Sequence, residues 1–367
     1  MVGVALRHAA ARAPDLFGPG ARLVVGFSGG QDSACLLHAL LSHRHGVEVV
    51  AAHVDHGLRP DSAADAERAC ALAAALGAPV VVRRVDVAAY RAGRRRCSVQ
   101  QAARAARYQA LASVVAEVGA AALVLAHTAD DQAETVLLRL LRGAGLDGMA
   151  AMRLDETLDP SRLGPAVAEL PTWPTAAPTL RVARPLLYVE RATTLAYCQE
   201  QALPYVDDPS NLSRAYMRNR VRHDLLPRLQ EFNPAVRLVL ARAADLAAED
   251  VAALDAVVGA VFSEVAQPHG PGALLFARGA WLAQPRALQR RLLRRAIETL
   301  SGGLQDVPAT PIEDALDLVA AGQPDRRYHL PRGTELRTLV DGFVVARRGG
   351  AGFAGMRNTR DQPPAGV

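Results

Sequence analysis

Between Arg22 and His127, short runs of aliphatic and β-branched residues alternate with longer Ala/Leu-rich stretches whose apolar positions recur every three or four residues. That alternation is what a parallel sheet, buried on both faces and joined by covering helices, requires. Leu23–Phe27, Val47–Val54, Val80–Val85 and Leu123–His127 are expected as strands, with Ser33–Leu41, Asp61–Leu76 and Ser98–Val118 as right-handed crossover helices. The expected fold class is therefore α/β, a doubly wound parallel sheet. In such sheets ligands bind beyond the carboxyl ends of the strands, where the winding reverses. Three polar clusters occupy those positions: Ser28–Ser33, His53–Arg59 and His127–Glu134.

Further along, the periodicity changes. Thr157–Pro178 carries Pro160, Pro165, Pro171, Pro174 and Pro178 with little pattern, so residues 157–178 are expected as a mobile surface insertion. A fifth strand-like run, Leu180–Leu187, precedes another helix and the Asp207–Arg222 segment, where Pro, Asn and Ser give way to a dense arginine series. A first domain is thus expected over 1–218. A mainly helical domain follows over 219–305, led by Val236–Val265 and Pro285–Leu300, and a small C-terminal region over 306–367 combines a helix, a β-like end at Leu336–Val345 and a frayed tail from Gly349.

Composition removes several function classes. All 42 basic residues are arginine, and the chain has no lysine. A Walker P-loop, a Schiff-base enzyme, a protein kinase and a Ser-x-x-Lys hydrolase each need an ammonium on a flexible stem, so none fits. Phosphate must be handled by backbone amides, hydroxyls, metal or arginine. Half of the 367 residues are hydrophobic, as a folded chain with a sizeable core requires. The longest apolar stretch, Ala69–Val82, is broken by Gly77 and Pro79, and no signal-like segment opens the chain, so a soluble cytoplasmic protein without a membrane role is expected. Cys35, Cys70, Cys97 and Cys198 lie far apart and are expected reduced and buried rather than in a zinc ribbon or a cluster. A net charge of +5 permits a polyanionic partner without demanding one.

Ser28-Gly29-Gly30-Gln31-Asp32-Ser33 sits directly after a strand and before a helix. Glycines let the backbone approach an anion, amides and hydroxyls donate to phosphate oxygens, and the helix N-terminus adds a favourable dipole. Asp32 would repel phosphate unless a cation intervened, which points to Mg²⁺; the bland alternative is a glycine turn with a capping Asp or Ser. Ser301-Gly302-Gly303, by contrast, follows a helix and is expected as its C-terminal stop. Asp131 and Glu134 share a face at a helix start, suiting a substrate ammonium, although acids there also simply favour the helix terminus. His53 and Asp55 share a strand face from which His56 points away, so an adenosine pocket is favoured over zinc.

The loop resembles that of the PP-loop ATP pyrophosphatases. With it stand His53-Val54-Asp55-His56-Gly57-Leu58-Arg59, Ala103-Arg104-Ala105-Ala106-Arg107-Tyr108, the run from Ala126 to Thr135, Leu141-Arg142-Gly143-Ala144-Gly145, Arg184-Pro185-Leu186-Leu187, Asp208-Pro209-Ser210-Asn211 and Arg218-Asn219-Arg220-Val221-Arg222. Read in order, this series resembles the tRNA(Ile)-lysidine synthetases over roughly residues 20 to 225, and thins out beyond. The resemblance implies a carbon–nitrogen ligase that uses ATP and Mg²⁺ to join free L-lysine to the wobble cytidine of tRNA(Ile) with a CAU anticodon. It implies that Ser28, Gly29, Gly30, Gln31, Asp32, Ser33, His53 and Asp55 hold ATP, with Asp32 on the metal. Asp32, Arg107 and His127 would serve adenylation, and Asp131 and Glu134 would bind lysine. Arg218, Arg220 and Arg222, and the stripe Arg286, Arg290 and Arg294, are expected on tRNA, although such a stripe is also what the solvated face of an amphipathic helix looks like. A homodimer is compatible with this reading.

Three departures stand out: Gln100 and Gln101 where relatives tend to have an acid, the long proline-rich insertion, and a short carboxyl region. Rival readings are a tRNA cytidine thiolase, whose cluster needs paired cysteines, a glutamine-dependent relative such as GMP synthetase, and a non-catalytic RNA-binding protein with a vestigial nucleotide loop.

Overall fold

The computed structural model describes residues 1–43, 46–57, 62–92, 98–158, 179–206, 214, 216–303 and 307–350. Leu58 and Arg59, Cys97, the prolines of the insertion, the Asp208–Asn211 motif and the tail beyond residue 350 lie outside them. The chain divides into two compact units, Met1–Val251 and Ala252–Val367.

The first unit is built on β1 (Arg22–Gly26), β2 (Glu48–Asp55), β3 (Val80–Arg84), β4 (Ala122–Val124), β5 (Asp155–Leu158) and β6 (Leu180–Ala183), in the spatial order β3-β2-β1-β4-β6-β5. All pairings are parallel except β5 with β6. Strand β1 shows why its run is apolar without interruption. Leu23 and Val25 enter one core with α1 (Val2–Arg12), α2 (Gln31–His43) and α3 (Ser62–Ala75), whereas Val24 enters the opposite core with Tyr108, Leu111 and Val114. The latter three belong to α5 (Val99–Glu117), which follows the short α4 (Val87–Ala92). A strand with helices on both faces has no polar side to show.

Chain order runs outward from β1 to β3 and then returns to place β4 on the other side of β1. The winding therefore reverses between β1 and β4, which brings the loops after both strands to one rim. A Cβ on Gly26 would meet Leu125 Cδ2 at 2.6 Å, so glycine at the end of β1 is what allows this close approach. The antiparallel β5 was not expected: its residues overlap the start of the presumed insertion, and Asp155 and Glu156 give it little apolar pattern.

The first unit also continues past the expected boundary at 218. Here α6 (Ala129–Leu140) and α7 (Leu146–Met149) are followed by α8 (Arg191–Glu200), α9 (Met217–Arg220), a π-helical turn (Val221–Leu225), α10 (Leu226–Phe232) and the start of α11 (Val236–Val265). Val221 and Leu226 pack with Ala133 of α6, and Arg237 pairs with Asp130 at 2.8 Å, so residues 219–251 are fastened to the sheet unit.

In the second unit β7 (Ala266–Pro268), β8 (Ala273–Ala277), β9 (Arg327–Leu330), β10 (Thr334–Thr338) and β11 (Gly342–Arg347) form an antiparallel sheet ordered β7-β8-β11-β10-β9. Phe276 and Phe343 stack at 4.9 Å, and Trp281 meets Phe343 edge-on at 4.8 Å. Helices α12 (Arg278–Leu282), α13 (Arg286–Ser301) and α14 (Ala309–Ala321) complete that core through Leu292, Leu293, Ile297 and Leu316. Helix α13 ends at Gly302 with φ +81°, the stop expected of this glycine pair. No described helix is long and apolar enough to cross a membrane.

Candidate active site

The Ser28–Ser33 loop leaves β1 and enters α2 at the switch point. Gly29 has φ +82°, a conformation that a side chain would strain, and its carbonyl accepts the Val206 N–H at 2.9 Å. Ser33 Oγ donates to the Gly30 carbonyl at 2.8 Å and lies 3.2 Å from Ser28 Oγ, so the two hydroxyls close the loop on itself. Gln31, Asp32 and Ser33 form the first turn of α2, whose N–H groups have no partner further back in the helix. Asp32 is held by Arg191, whose Nε donates to Oδ2 at 3.0 Å, and by the Thr194 hydroxyl on Oδ1. Burial pushes its carboxyl above the usual range, opposed by the Arg191 charge.

His53 and Asp55 end β2 beside the loop, and both are buried. His53 Nδ1 donates to the Phe27 carbonyl at 2.9 Å, and Asp55 accepts the Gly57 N–H at 2.9 Å, so each shapes the rim as well as lining it. Burial, then the nearby Arg107 charge, pushes His56 down to about 4, and its Nδ1 has no hydrogen-bond partner among the described residues.

Beyond β4, His127 meets a residue that sequence reasoning quoted only as part of a motif. Arg184, 1% exposed, donates from Nε to His127 Nδ1 at 3.2 Å, from Nη1 to the Arg153 carbonyl at 2.8 Å and from Nη2 to Glu156 Oε1 at 2.7 Å. A guanidinium can only donate, so His127 accepts at Nδ1 and carries its proton on Nε2. Burial and the Arg184 charge hold His127 well below the usual histidine range, and it stays neutral. The Arg107 guanidinium lies 5.5 Å from the Tyr108 ring centroid, with its buried Nε left without a hydrogen-bond partner among the described residues.

Thr128 caps α6: its N–H and hydroxyl both donate to Asp131 Oδ2, at 3.0 and 3.1 Å. The other oxygen of Asp131 faces Arg218 at 3.0 Å, Arg191 at 3.4 Å and Arg222 at 3.6 Å. Glu134, fully buried, takes Arg218 Nε on Oε2 at 2.6 Å and Arg222 Nε on Oε1 at 2.5 Å. Burial raises Asp131, but the Arg191 and Arg218 charges and the Thr128 N–H outweigh it and hold the carboxyl well below its usual range. Arg218 and Arg222, expected on RNA phosphates, are thus engaged by the pair expected to take an ammonium. Arg220, between them, is exposed. The signal for Arg191 and Thr194 as partners of Asp32 was absent from the sequence, since they lie about 160 residues away on α8.

In the second unit Arg286 pairs with Glu313 at 3.0 Å and Asp317 at 2.7 Å, Arg290 pairs with Glu313, and Arg294 reaches the Val307 carbonyl at 3.5 Å. The expected stripe is present as a helix face, laced to α14 by Arg286 and Arg290 and to the segment before it by Arg294. Among the described residues no group of three or more His, Cys, Asp or Glu could hold a metal. Cys35 and Cys198 are buried without a disulfide, and Cys70 is half-buried. Gln101, noted as a departure, closes a capping box with Ser98 at the start of α5.

Comparison with known proteins fits this geometry. A family model described as a PP-loop domain matches residues 7–229, and one described as the TilS substrate binding domain matches residues 276–349. The second match corrects the impression that resemblance fades beyond residue 225. The chain is 37% identical over 86% of its length to the tRNA(Ile)-lysidine synthase of Dehalococcoides mccartyi, of which it covers 65%. It is 39% identical over 80% of its length to that of Leifsonia xyli subsp. xyli, covering 81% of it, and 32% identical over 93% to that of a Nostoc species, covering 96%. The chain spans just under two thirds of the Dehalococcoides relative and of the one from Solibacter usitatus, at 65% and 66%. Among solved structures, the U34-tRNA thiolase NcsA from Methanococcus maripaludis, with its [4Fe-4S] cluster, aligns with a TM-score of 0.52 over 68% of this chain and 78% of that one; at 17% identity it speaks for the fold alone. With a PP-loop model matching more than half of the chain and two relatives covered to 81% and 96% of their length, the chain belongs to the tRNA(Ile)-lysidine synthase family of PP-loop proteins.

Proposed function

We propose that this protein ligates L-lysine to C2 of the wobble cytidine of tRNA(Ile) with a CAU anticodon, consuming ATP and releasing AMP and pyrophosphate. The observation that carries the reading is one continuous rim. There the phosphate-type loop, the neutral His127 with its Arg184 support, and the Asp131–Glu134 pair are joined through Arg191, which touches Asp32 and Asp131.

In the first step the cytidine O2 attacks the α-phosphorus of ATP, and the pyrophosphate oxygen leaves. The loop amides and the hydroxyls of Ser28 and Ser33 hold phosphate oxygens. His127 donates from Nε2 and Arg107 from its guanidinium to charge that builds on the α-phosphate, where fixed donors are most effective. In the second step the lysine amine attacks C2 of the adenylated base, AMP departs, and the amine loses its protons to the surroundings. Asp131 and Glu134 orient the amino acid through its ammonium. One carboxylate, Asp32, beside a phosphate site fits a Mg²⁺ that arrives with the nucleotide and keeps most of its ligands from phosphate and water. Bound there, such an ion would neutralise the departing pyrophosphate. His53 and Asp55 are proposed for the adenosine side. Of the arginines, exposed Arg220 is the freest to meet an RNA phosphate, while Arg218, Arg222, Arg286, Arg290 and Arg294 would first exchange the partners described above.

The test is nucleoside mass spectrometry of tRNA(Ile) with a CAU anticodon after incubation with the protein, ATP, Mg²⁺ and isotopically labelled lysine. Labelled lysidine at the wobble position is expected; bound but unmodified tRNA would overturn the reading.

A further inference from the structure

Arg191 opens α8 and is fixed at both its backbone and its side chain. Its N–H donates to Asp130 Oδ2 at 2.7 Å, and its carbonyl accepts Gln31 Nε2 at 3.2 Å, so α8 is tied at this residue to both α6 and the loop helix α2. Its guanidinium then divides between two carboxylates, Nε on Asp32 Oδ2 at 3.0 Å and Nη2 on Asp131 Oδ1 at 3.4 Å. Neither acid belongs to the same element: Asp32 lies in the phosphate-type loop and Asp131 in the acid pair.

We infer that Arg191 is a positioning residue, a countercation shared between the two sites, so that cation occupancy at Asp32 is coupled to the charge on Asp131. The inference deepens the proposed function and rests on it for the identity of the cation at Asp32. The physical argument is one of exclusion. Asp32 Oδ2 cannot give its full negative charge to both a divalent cation and Arg191 Nε, so an arriving cation displaces that hydrogen bond. The guanidinium is then held by Asp131, where Arg218 and Arg222 already face the same oxygen. Loss of the Asp131 charge would release Arg191 entirely toward Asp32 and make the cation compete harder. The planar fork is essential: an ammonium is a compact point charge that reaches one partner rather than bridging two.

The test uses the full chain and Mn²⁺ titrated, by electron paramagnetic resonance, in the presence of a non-hydrolysable ATP analogue. Asp32→Asn should abolish the tight Mn²⁺ site, and Arg191→Gln should tighten Mn²⁺ binding by about five- to tenfold, the lower range of measured coupling between sites. Asp131→Asn should weaken it by a similar factor in the native background, and by less than about twofold in the Arg191→Lys background, where charge is kept but the bridge is lost. Unchanged Mn²⁺ affinity in Arg191→Gln, or an Asp131→Asn shift that persists in Arg191→Lys, overturns the coupling and leaves the proposed reaction standing. A native protein that binds no Mn²⁺ with the analogue overturns both.

Discussion

Two carboxylates decide whether the rim works as proposed, and each has a distinct observable. Asp32 opens the loop helix and is held by Arg191 and Thr194, and the proposed function gives it the cation that accompanies the nucleotide. Asp32→Ala should therefore lower tRNA-dependent ATP–pyrophosphate exchange by about a hundredfold or more, the scale of losing one charge-stabilising group, while tRNA affinity changes little. Glu134 is a different case because it is fully buried beneath Arg218 and Arg222. Cutting it to alanine would leave two guanidinium groups facing an emptied buried site, at a cost on the order of 3–5 kcal/mol for such broken pairs, and would confuse folding with function. Glu134→Gln keeps an acceptor and removes the charge. It should raise the KM for lysine by about tenfold, the size of one weakened charged hydrogen bond, with exchange nearly unchanged; an unaltered KM would remove Glu134 from the amine site. The histidines give a pH signature. His56, pushed down to about 4, and His127, held well below its usual value, are neutral in the folded chain, whereas the unfolded chain takes up protons below about pH 6.5. Stability from this source is fully present above pH 6.5 and is lost as pH falls from there toward the folded pKa values. Thermal melts should thus move downward between pH 6.5 and 4, and His56→Gln should flatten that slope.

At the scale of elements, the strand–loop–helix unit around Gly29 is testable against an internal control. Gly29 and Gly302 have nearly the same φ, +82° and +81°, one entering a helix and the other leaving one. Alanine at either position should cost about 1–2 kcal/mol for the left-handed conformation. Only Gly29→Ala should also abolish binding of the ATP analogue; equal binding by both variants would make the loop an ordinary turn. The two glycine runs could be told apart in the sequence because what precedes each differs, an apolar strand in one case and an amphipathic helix in the other. The β1 to β4 strands and the covering helices were legible for the same reason, since both faces of the sheet are covered and the apolar runs are unbroken. Less visible was β5, where Arg184 and Arg181 take Glu156 and Asp155 as ion-pair partners and leave no alternating pattern to read. The antiparallel sheet of the second unit was foreseen only at its β10–β11 end. Strands β7, β8 and β9 are three to five residues long, and β8 meets β11 only across three intervening helices, a pairing that no local spacing reveals. The partners of Asp32 were hidden likewise, because the contact of α8 with the loop helix joins residues that no local spacing connects.

For the whole molecule, the arginine count says less about RNA than the pairing of each arginine does. A net charge of +5 spread over 367 residues is modest, and many of its cations are already matched with carboxylates inside one unit or the other. Arg286 and Arg290 share Glu313, and Arg286 also holds Asp317, so drawing either onto a phosphate breaks an existing ion pair and returns part of the gain. Arg218 and Arg222 are bound more firmly still, by a carboxylate with no exposure to solvent. Arg220 is the exposed member of that series. Each phosphate neutralised by an arginine contributes about 0.7–0.9 to the slope of log affinity against log salt. Arg220→Ala should then shorten that slope for tRNA by nearly one unit and weaken binding evenly across RNA sequences. The double variant Arg286→Ala with Arg290→Ala should change it by less than about half a unit, because the carboxylates left behind repel the same phosphates that the arginines would have met. Filter binding or fluorescence anisotropy across a salt series distinguishes the two. A loss of nearly two units in the double variant would mean that RNA does break the α13–α14 ion pairs, and the stripe would then be an RNA surface despite its partners.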